Sequence, residues 1–159
     1  MDDLTGASVL RVSITRLPGT QDLPLPAYQS GHAAALDLHA AVDAPRTIVP
    51  GRIGVVGCGF AMALPAGFEG QVRPRSGLAT RHGLTVVNAP GTIDSDYRGE
   101  VKVALINLGD RAFTVERGMR IAQLVVAPVT RIAWEPVDRL EETARGAGGF
   151  GHTGTGTAR

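Results

Sequence analysis

Apolar and polar residues alternate in short runs along this chain, and the runs are interrupted too often for long helices. Residues 11–17 (RVSITRL) set Val12 and Ile14 between polar neighbours, the period of two expected of a half-buried strand. A proline-rich loop, 18–26, follows. Over 47–72 the apolar runs are broken at Pro50-Gly51, Gly57, Gly59 and Pro65-Ala66-Gly67, which predicts successive antiparallel strands. Further strands are predicted over 84–87, 101–106, 112–115 and 121–126, with turns at Asn107-Leu108-Gly109-Asp110 and Arg117-Gly118. Residues 76–83 (SGLATRHG) read as one or two helical turns. Residues 33–41 (AAALDLHAA) are ambiguous, because alanine and leucine favour helix while Gly31 and Pro45 leave room only for a short segment.

Ten or so short strands with almost no helix predict an all-β fold, a jelly-roll-like β-sandwich or barrel with at most one short helix. After Pro136 the sequence turns charged (VDRLEETARG) and then glycine-rich, losing every sign of a core. We therefore read a β core over 1–136 and a flexible C-terminal arm over 137–159.

With 159 residues the chain has room for one domain with a substantial core. Its 21 glycines exceed the ordinary usage of about 7% and agree with many tight turns. A formal net charge of +1, spread without a Lys/Arg run, lacks the electrostatic footprint of a nucleic-acid binder and points to a small partner. Cys58 is the single cysteine, which excludes an intrachain disulfide and a multi-cysteine zinc site and suits a reducing compartment. The first residues lack a basic region followed by a long apolar run, and no stretch approaches 18 apolar residues. The expectation is a cytoplasmic protein that does not engage a membrane.

The densest chemistry lies at 88–99, NAPGTIDSDYRG, where Pro90-Gly91 marks a turn between two strand-like runs. The segment reads as a hairpin or pocket-forming loop carrying Asp94, Asp96, Tyr97 and Arg98. Asp and Asn also serve turns for their own backbone reasons, so the pattern gains meaning from four companions: AALDLHA (34–40), PRSGLA (74–79), RIAQL (120–124) and RGAGGFGHTGTG (145–156). In order and spacing the five segments resemble the five motifs of the trimeric dUTPases, over roughly residues 30–155. The resemblance implies a strand at AALDLHA, a homotrimer whose active sites are shared between subunits, and hydrolysis of dUTP to dUMP and pyrophosphate with Mg²⁺. Such an activity provides dUMP for thymidylate synthesis and keeps uracil out of DNA.

By that resemblance Asp94 is the general base, since a carboxylate with a reference pKa near 3.9 is ionised at neutral pH and can deprotonate a water poised at the α-phosphorus. Tyr97 would pack beneath the deoxyribose and leave no room for a 2′-hydroxyl. Asn88 carries the amide donor and acceptor needed to meet an edge of uracil, with backbone groups around Thr92, Ile93 and Lys102. Such a site rejects cytosine by roughly 10⁴ or more, because donors then face donors. Asp96 and Arg98 are assigned to holding the hairpin or a subunit contact.

Arg75, Ser76 and Gly77 form a phosphate-binding candidate: a charge-assisted fork, a hydroxyl, and a glycine that lets backbone N–H groups come close. Gln123 is an amide within a strand pattern and needs a partner; by resemblance it faces the phosphates and their water. Asp37 is matched to a supporting role toward metal-bound water. The glycine-rich tail lacks the GK[ST] ending of a Walker loop. Its Phe150 would stack on uracil while Arg145, Gly151, His152 and Thr153 contact the phosphates, closing the site. Magnesium keeps several waters and is usually delivered by substrate phosphates, so no direct protein ligand is expected, with Asp37 and Gln123 near its waters. The sequence leaves two rivals, a dCTP deaminase of the same fold family and a dUTP-sensing interaction protein.

Overall fold

The computed structural model describes residues 9–152, 154 and 156. Among these, eleven strands and one short helix form, and every strand pair is antiparallel. One sheet has four strands, in the order β1 (Ser13–Arg16), β5 (Ile53–Ala63), β9 (Glu100–Asn107), β7 (Leu84–Val86). A second has five: β2 (Ala27–Tyr28), β3 (Leu36–His39), β11 (Arg120–Pro128), β6 (Phe68–Arg73), β8 (Gly91–Ile93). A third is the pair β10 (Phe113–Val115) with β4 (Arg46–Ile48). The fold is the all-β, jelly-roll-like sandwich that the alternation predicted, with the single helix α1 (Ser76–His82) where SGLATRH stands.

The core follows from alternation. On β9, Val101, Val103, Leu105 and Asn107 point inward; on β5, Val56, Cys58, Phe60 and Met62 do. The apolar ones form one cluster with Leu38, Val72, Ile121, Ala122 and Leu124 of the five-stranded sheet. Full burial of each Val or Leu contributes about 1.5–3 kcal/mol, which fixes which face of each strand turns inward. On β11 the consecutive buried pair Ile121 and Ala122 breaks the alternation, and the register against β3 shifts at that point, as a bulge requires.

One expectation is met against local preference and two change. Residues 36–39 form the strand that the resemblance implied, although the alanines and leucines of 33–41 favour helix, because β3 is paired on both sides, by β2 and β11. Gly57 and Gly59 do not break the chain into separate strands: β5 runs through both, with a register shift between Gly57 and Ala61 and Gly59 at φ +72°. A residue without Cβ is needed there, since a side chain at Gly59 would come within 2.7 Å of Thr20 Cγ2. The strand in RVSITRL forms but is exposed along its length, with Ile14 40% exposed. It is the edge strand on β5, and its apolar side lines an open groove with Phe60, Met62 and Leu124.

Candidate active site

The segment joining β7 to β9 crosses from one sheet to the other. β7 and β9 pair directly, Val86 opposite Leu105, while residues 91–93 between them leave as β8 to pair with β6. β8 is the last strand of its sheet and β7 the last of the other. Edge strands present backbone donors and acceptors with no ladder partner, and here two such edges flank a cleft. One pocket, of about 160 Å³, is lined by Val86, Asn88, Gly91, Thr92, Lys102 and Ala104 among others. It shares Thr92, Ile93 and Lys102 with a second, of about 180 Å³, that adds Asp94, Tyr97 and Glu100.

The second pocket's wall is a tight turn. The Tyr97 N–H donates to the Asp94 carbonyl at 3.1 Å, and Arg98 Nη1 donates to the Ser95 and Tyr97 carbonyls at 2.7 and 2.9 Å. Arg98 therefore braces the turn from outside. The Tyr97 hydroxyl donates to the Glu100 carbonyl at 2.9 Å, and a side chain at Gly99 would overlap that phenol, so only glycine lets the ring fold back over its own turn. The Asp94 carboxylate is exposed and accepts no bond from the described residues.

A second cluster gathers Asp37, Arg75 and Gln123. Asp37 is buried on β3, with Arg75 Nε 3.4 Å from one oxygen and Arg120 Nη1 3.0 Å from the other. Arg75 Nη1 also donates to the Arg120 carbonyl, at 3.1 Å. Gln123 lies directly opposite Asp37 across the β11–β3 ladder, and its Nε2 donates to the Pro74 carbonyl at 2.9 Å, so its Oε1 remains as an acceptor. Ser76 and Gly77 open α1, whose first turn is bonded through Leu78 and Ala79 N–H groups to the Arg75 carbonyl; the Ser76 and Gly77 N–H groups precede the helix ladder.

At the end of the loop Ala89 and Pro90 share a hollow with Pro74 and Gln123. Among the described residues no hydrogen bond or ion pair joins Asp94 or Tyr97 to Asp37, Arg75 or Gln123. The described arm residues bond to one another. Arg145 Nε donates to the Gly148 carbonyl at 2.9 Å, His152 N–H to the Gly149 carbonyl, and Phe150 and Gly151 are exposed. Thr153 lies outside the described residues. Among the described residues no three His, Cys, Asp or Glu side chains are grouped as a metal cage.

Three residues escaped the sequence reading. Arg120, which opens RIAQL, is the second cation on Asp37; a charged residue at the head of a strand facing the LDL segment was the available signal. His39, its register partner, has a buried Nδ1 without a hydrogen-bond partner, and burial lowers its pKa from the ordinary 6.5, with Arg120 and Arg75 adding to the fall and Asp37 opposing it. Glu100 lines the Asp94 pocket and carried no sequence signal.

Comparison with known proteins identifies the family of the chain. The family model for dUTPase matches residues 21–154. The chain is 61% identical over 145 residues to a deoxyuridine 5′-triphosphate nucleotidohydrolase of Rhizobium leguminosarum, covering 90% of this chain and 93% of that one. It is 59% identical over 146 residues to the corresponding enzyme of Rhizobium meliloti, covering 91% of each. Its fold is similar to the dUTPase of Staphylococcus bacteriophage 80alpha solved with dUpNHpp, with a TM-score of 0.80 at 22% identity over 91% of this chain and 99% of that one. A phage phi11 dUTPase variant described with a structural Mg(II) ion matches with a TM-score of 0.73 at 18% identity, over 83% of this chain and 99% of that one.

Proposed function

This chain belongs to the dUTPase family and is a dUTP diphosphatase, and from that premise we propose that Asp94 activates the water that attacks the α-phosphorus of dUTP, releasing dUMP and pyrophosphate. The observation that carries the assignment is the Asp94 carboxylate, exposed at the pocket mouth and committed to no other group of the described residues. A general base must be able to reach its proton, and a carboxylate locked in an ion pair, as Asp37 is, is poorly suited to that task.

Uracil enters the cleft between the two sheet edges, where it meets the Asn88 amide and backbone groups of Thr92, Ile93 and Lys102 much as an added strand would meet an edge. Tyr97, its hydroxyl already spent on the Glu100 carbonyl, offers the deoxyribose a ring and no free donor, and its bulk excludes a 2′-hydroxyl. Arg75, Ser76, Gly77 and Gln123 receive the phosphates. Asp37 holds the Arg75 guanidinium in place for them. When the arm closes, Phe150 covers the base, and Arg145, Gly151, His152 and Thr153 complete the phosphate contacts while water is excluded.

Mg²⁺, arriving with the triphosphate, supplies charge neutralisation. The donor set suits a cation that keeps its waters, because the Asp37 carboxylate and the Gln123 Oε1 stand side by side on paired strands as acceptors for water hydrogens. The separation of the base-and-sugar cluster from the phosphate cluster within one chain supports a homotrimer in which neighbouring subunits contribute complementary parts of each site. We place the reaction in the cytoplasm, where dUMP feeds thymidylate synthesis and removal of dUTP keeps uracil out of DNA; among the described residues no helix is long and apolar enough to cross a membrane.

The test is to incubate the protein with dUTP, dCTP, dTTP and UTP in Mg²⁺, with and without chelator, and to separate the products. Chelator-sensitive dUMP and pyrophosphate from dUTP alone is the expected result. Ammonia from dCTP would replace the assignment with a deaminase, and tight dUTP binding without product would replace it with a sensing module.

A further inference from the structure

Glu100 lines the Asp94–Tyr97 pocket from the start of β9. Its side chain is 22% exposed and lies in the gap left by the β5 bulge, with Oε1 accepting the Gly59 N–H at 3.1 Å and Oε2 3.7 Å from Lys102 Nζ. Its own carbonyl accepts the Tyr97 hydroxyl at 2.9 Å. Gly57 has no side chain where that carboxylate rests; a Cβ there would overlap Oε1 and come within 2.8 Å of the carboxyl carbon.

Residue 100 sits where the β5–β9 ladder resumes after an interruption. Paired registry between β5 and β9 holds from Ile53 to Gly57 and resumes only at Ala61, so three residues of β5 face Val101. Across that interruption the Glu100 side chain supplies one bond, accepted from the Gly59 N–H. The neighbouring Cys58 thiol is pushed up to about 12 chiefly by burial and further by the Glu100 charge.

We propose that Glu100 is a positioning residue that locks the start of β9 to the β5 bulge, sets the Tyr97 ring and the Lys102 side chain at the pocket wall, and thereby sharpens the choice of deoxyribose over ribose. The inference rests on the dUTP reading of the pocket. If residue 100 is released, its carbonyl moves, the phenol loses its anchor, and the ring no longer holds the position that excludes a 2′-hydroxyl. Overall stability depends on the whole core, whereas the ratio of dUTP to UTP turnover depends on this wall.

The experiment measures kcat and KM for dUTP and UTP, with melting temperature, in the full chain and three variants. Glu100→Ala narrows the dUTP:UTP ratio of kcat/KM by about tenfold or more, the scale of one lost specificity contact. Glu100→Gln keeps an acceptor for the Gly59 N–H and retains the ratio within about twofold. Gly57→Ala, which fills the carboxylate's seat, narrows the ratio as Glu100→Ala does and adds little when combined with it, because both changes break one contact. A folded Glu100→Ala protein with the wild-type ratio overturns the proposal, as do Gly57→Ala and Glu100→Ala effects that multiply. If Glu100→Ala does not fold, the Gly57→Ala ratio decides, and an unchanged value overturns it. A wild-type chain that leaves dUTP intact removes the dUTP reading itself and the inference with it.

Discussion

Two carboxylates in this protein have opposite circumstances. Asp37 is buried between Arg75 and Arg120, while Asp94 is exposed and unbonded by the described residues. On the proposed assignment of Asp94 as the base, an amide in its place keeps the shape and removes only the proton acceptor, so Asp94→Asn lowers kcat by about 10²–10⁴, the usual share of general-base catalysis. Binding of a non-hydrolysable dUTP analogue, followed by calorimetry, stays close to wild type; full turnover in a folded Asp94→Asn protein would exclude the assignment. His39 makes a different prediction, in pH. Burial holds its pKa below 6.5 in the folded chain, so the unfolded chain binds more protons and the folded state loses stability as pH falls through about 6.5. Replacing it by leucine removes both that titration and the unpaired Nδ1. Between pH 7.5 and 5.5 the melting temperature of the wild type therefore falls further than that of His39→Leu, and parallel curves would show that the imidazole is not linked to folding.

At the level of elements, Asn107 shows how one polar side chain closes a strand. It is fully buried at the end of β9, donating from Nδ2 to the Ile48 and Arg111 carbonyls at 2.8 Å each and accepting the Gly109 N–H at 2.9 Å. Asn107→Leu leaves those groups short of partners at about 1–3 kcal/mol for each one that water cannot reach, so urea unfolding should show a loss of about 3 kcal/mol or more; a loss below about 1 kcal/mol would mean the turn rearranges freely. This turn was legible in the sequence, as were most strands, because alternation and Gly/Pro punctuation are local signals. β5 was not, since Gly57 and Gly59 look like breaks unless one knows that a Glu100 carboxylate fills one gap and Thr20 crowds the other. For β3, the local preference for helix was overridden by pairing on both sides, and only the resemblance of its motif indicated a strand. The site was readable as motifs but not as neighbours: nothing near Asp37 in sequence announces Arg75 and Arg120 as its partners, and nothing about Glu100 announces Tyr97, Gly59 and Lys102 together.

For the whole molecule the open question is what the chain does after β11. From Val129 onward the described residues form no helix or strand, and Val129, Ile132, Trp134, Val137 and Leu140 are all exposed, Trp134 to 86%. An extended apolar row of this kind is usually covered by association, which fits the proposed trimer, whereas the glycine-rich residues beyond it fit a closing strap. The two roles separate by truncation. Removing 145–159 deletes the strap but leaves the core and the apolar row, so the melting temperature and the mass by light scattering should stay at the wild-type values while dUTP turnover falls on the order of 10²-fold, the scale on which lost positioning lowers a rate. Removing 129–159 also deletes the apolar row, and the trimer mass should then give way to a single chain. Retained turnover in the shorter deletion would make the tail a mere terminus. A trimer that survives the longer one would move the subunit contact to the sandwich itself, where the open groove between Ile14, Phe60, Met62 and Leu124 is the apolar surface left to cover.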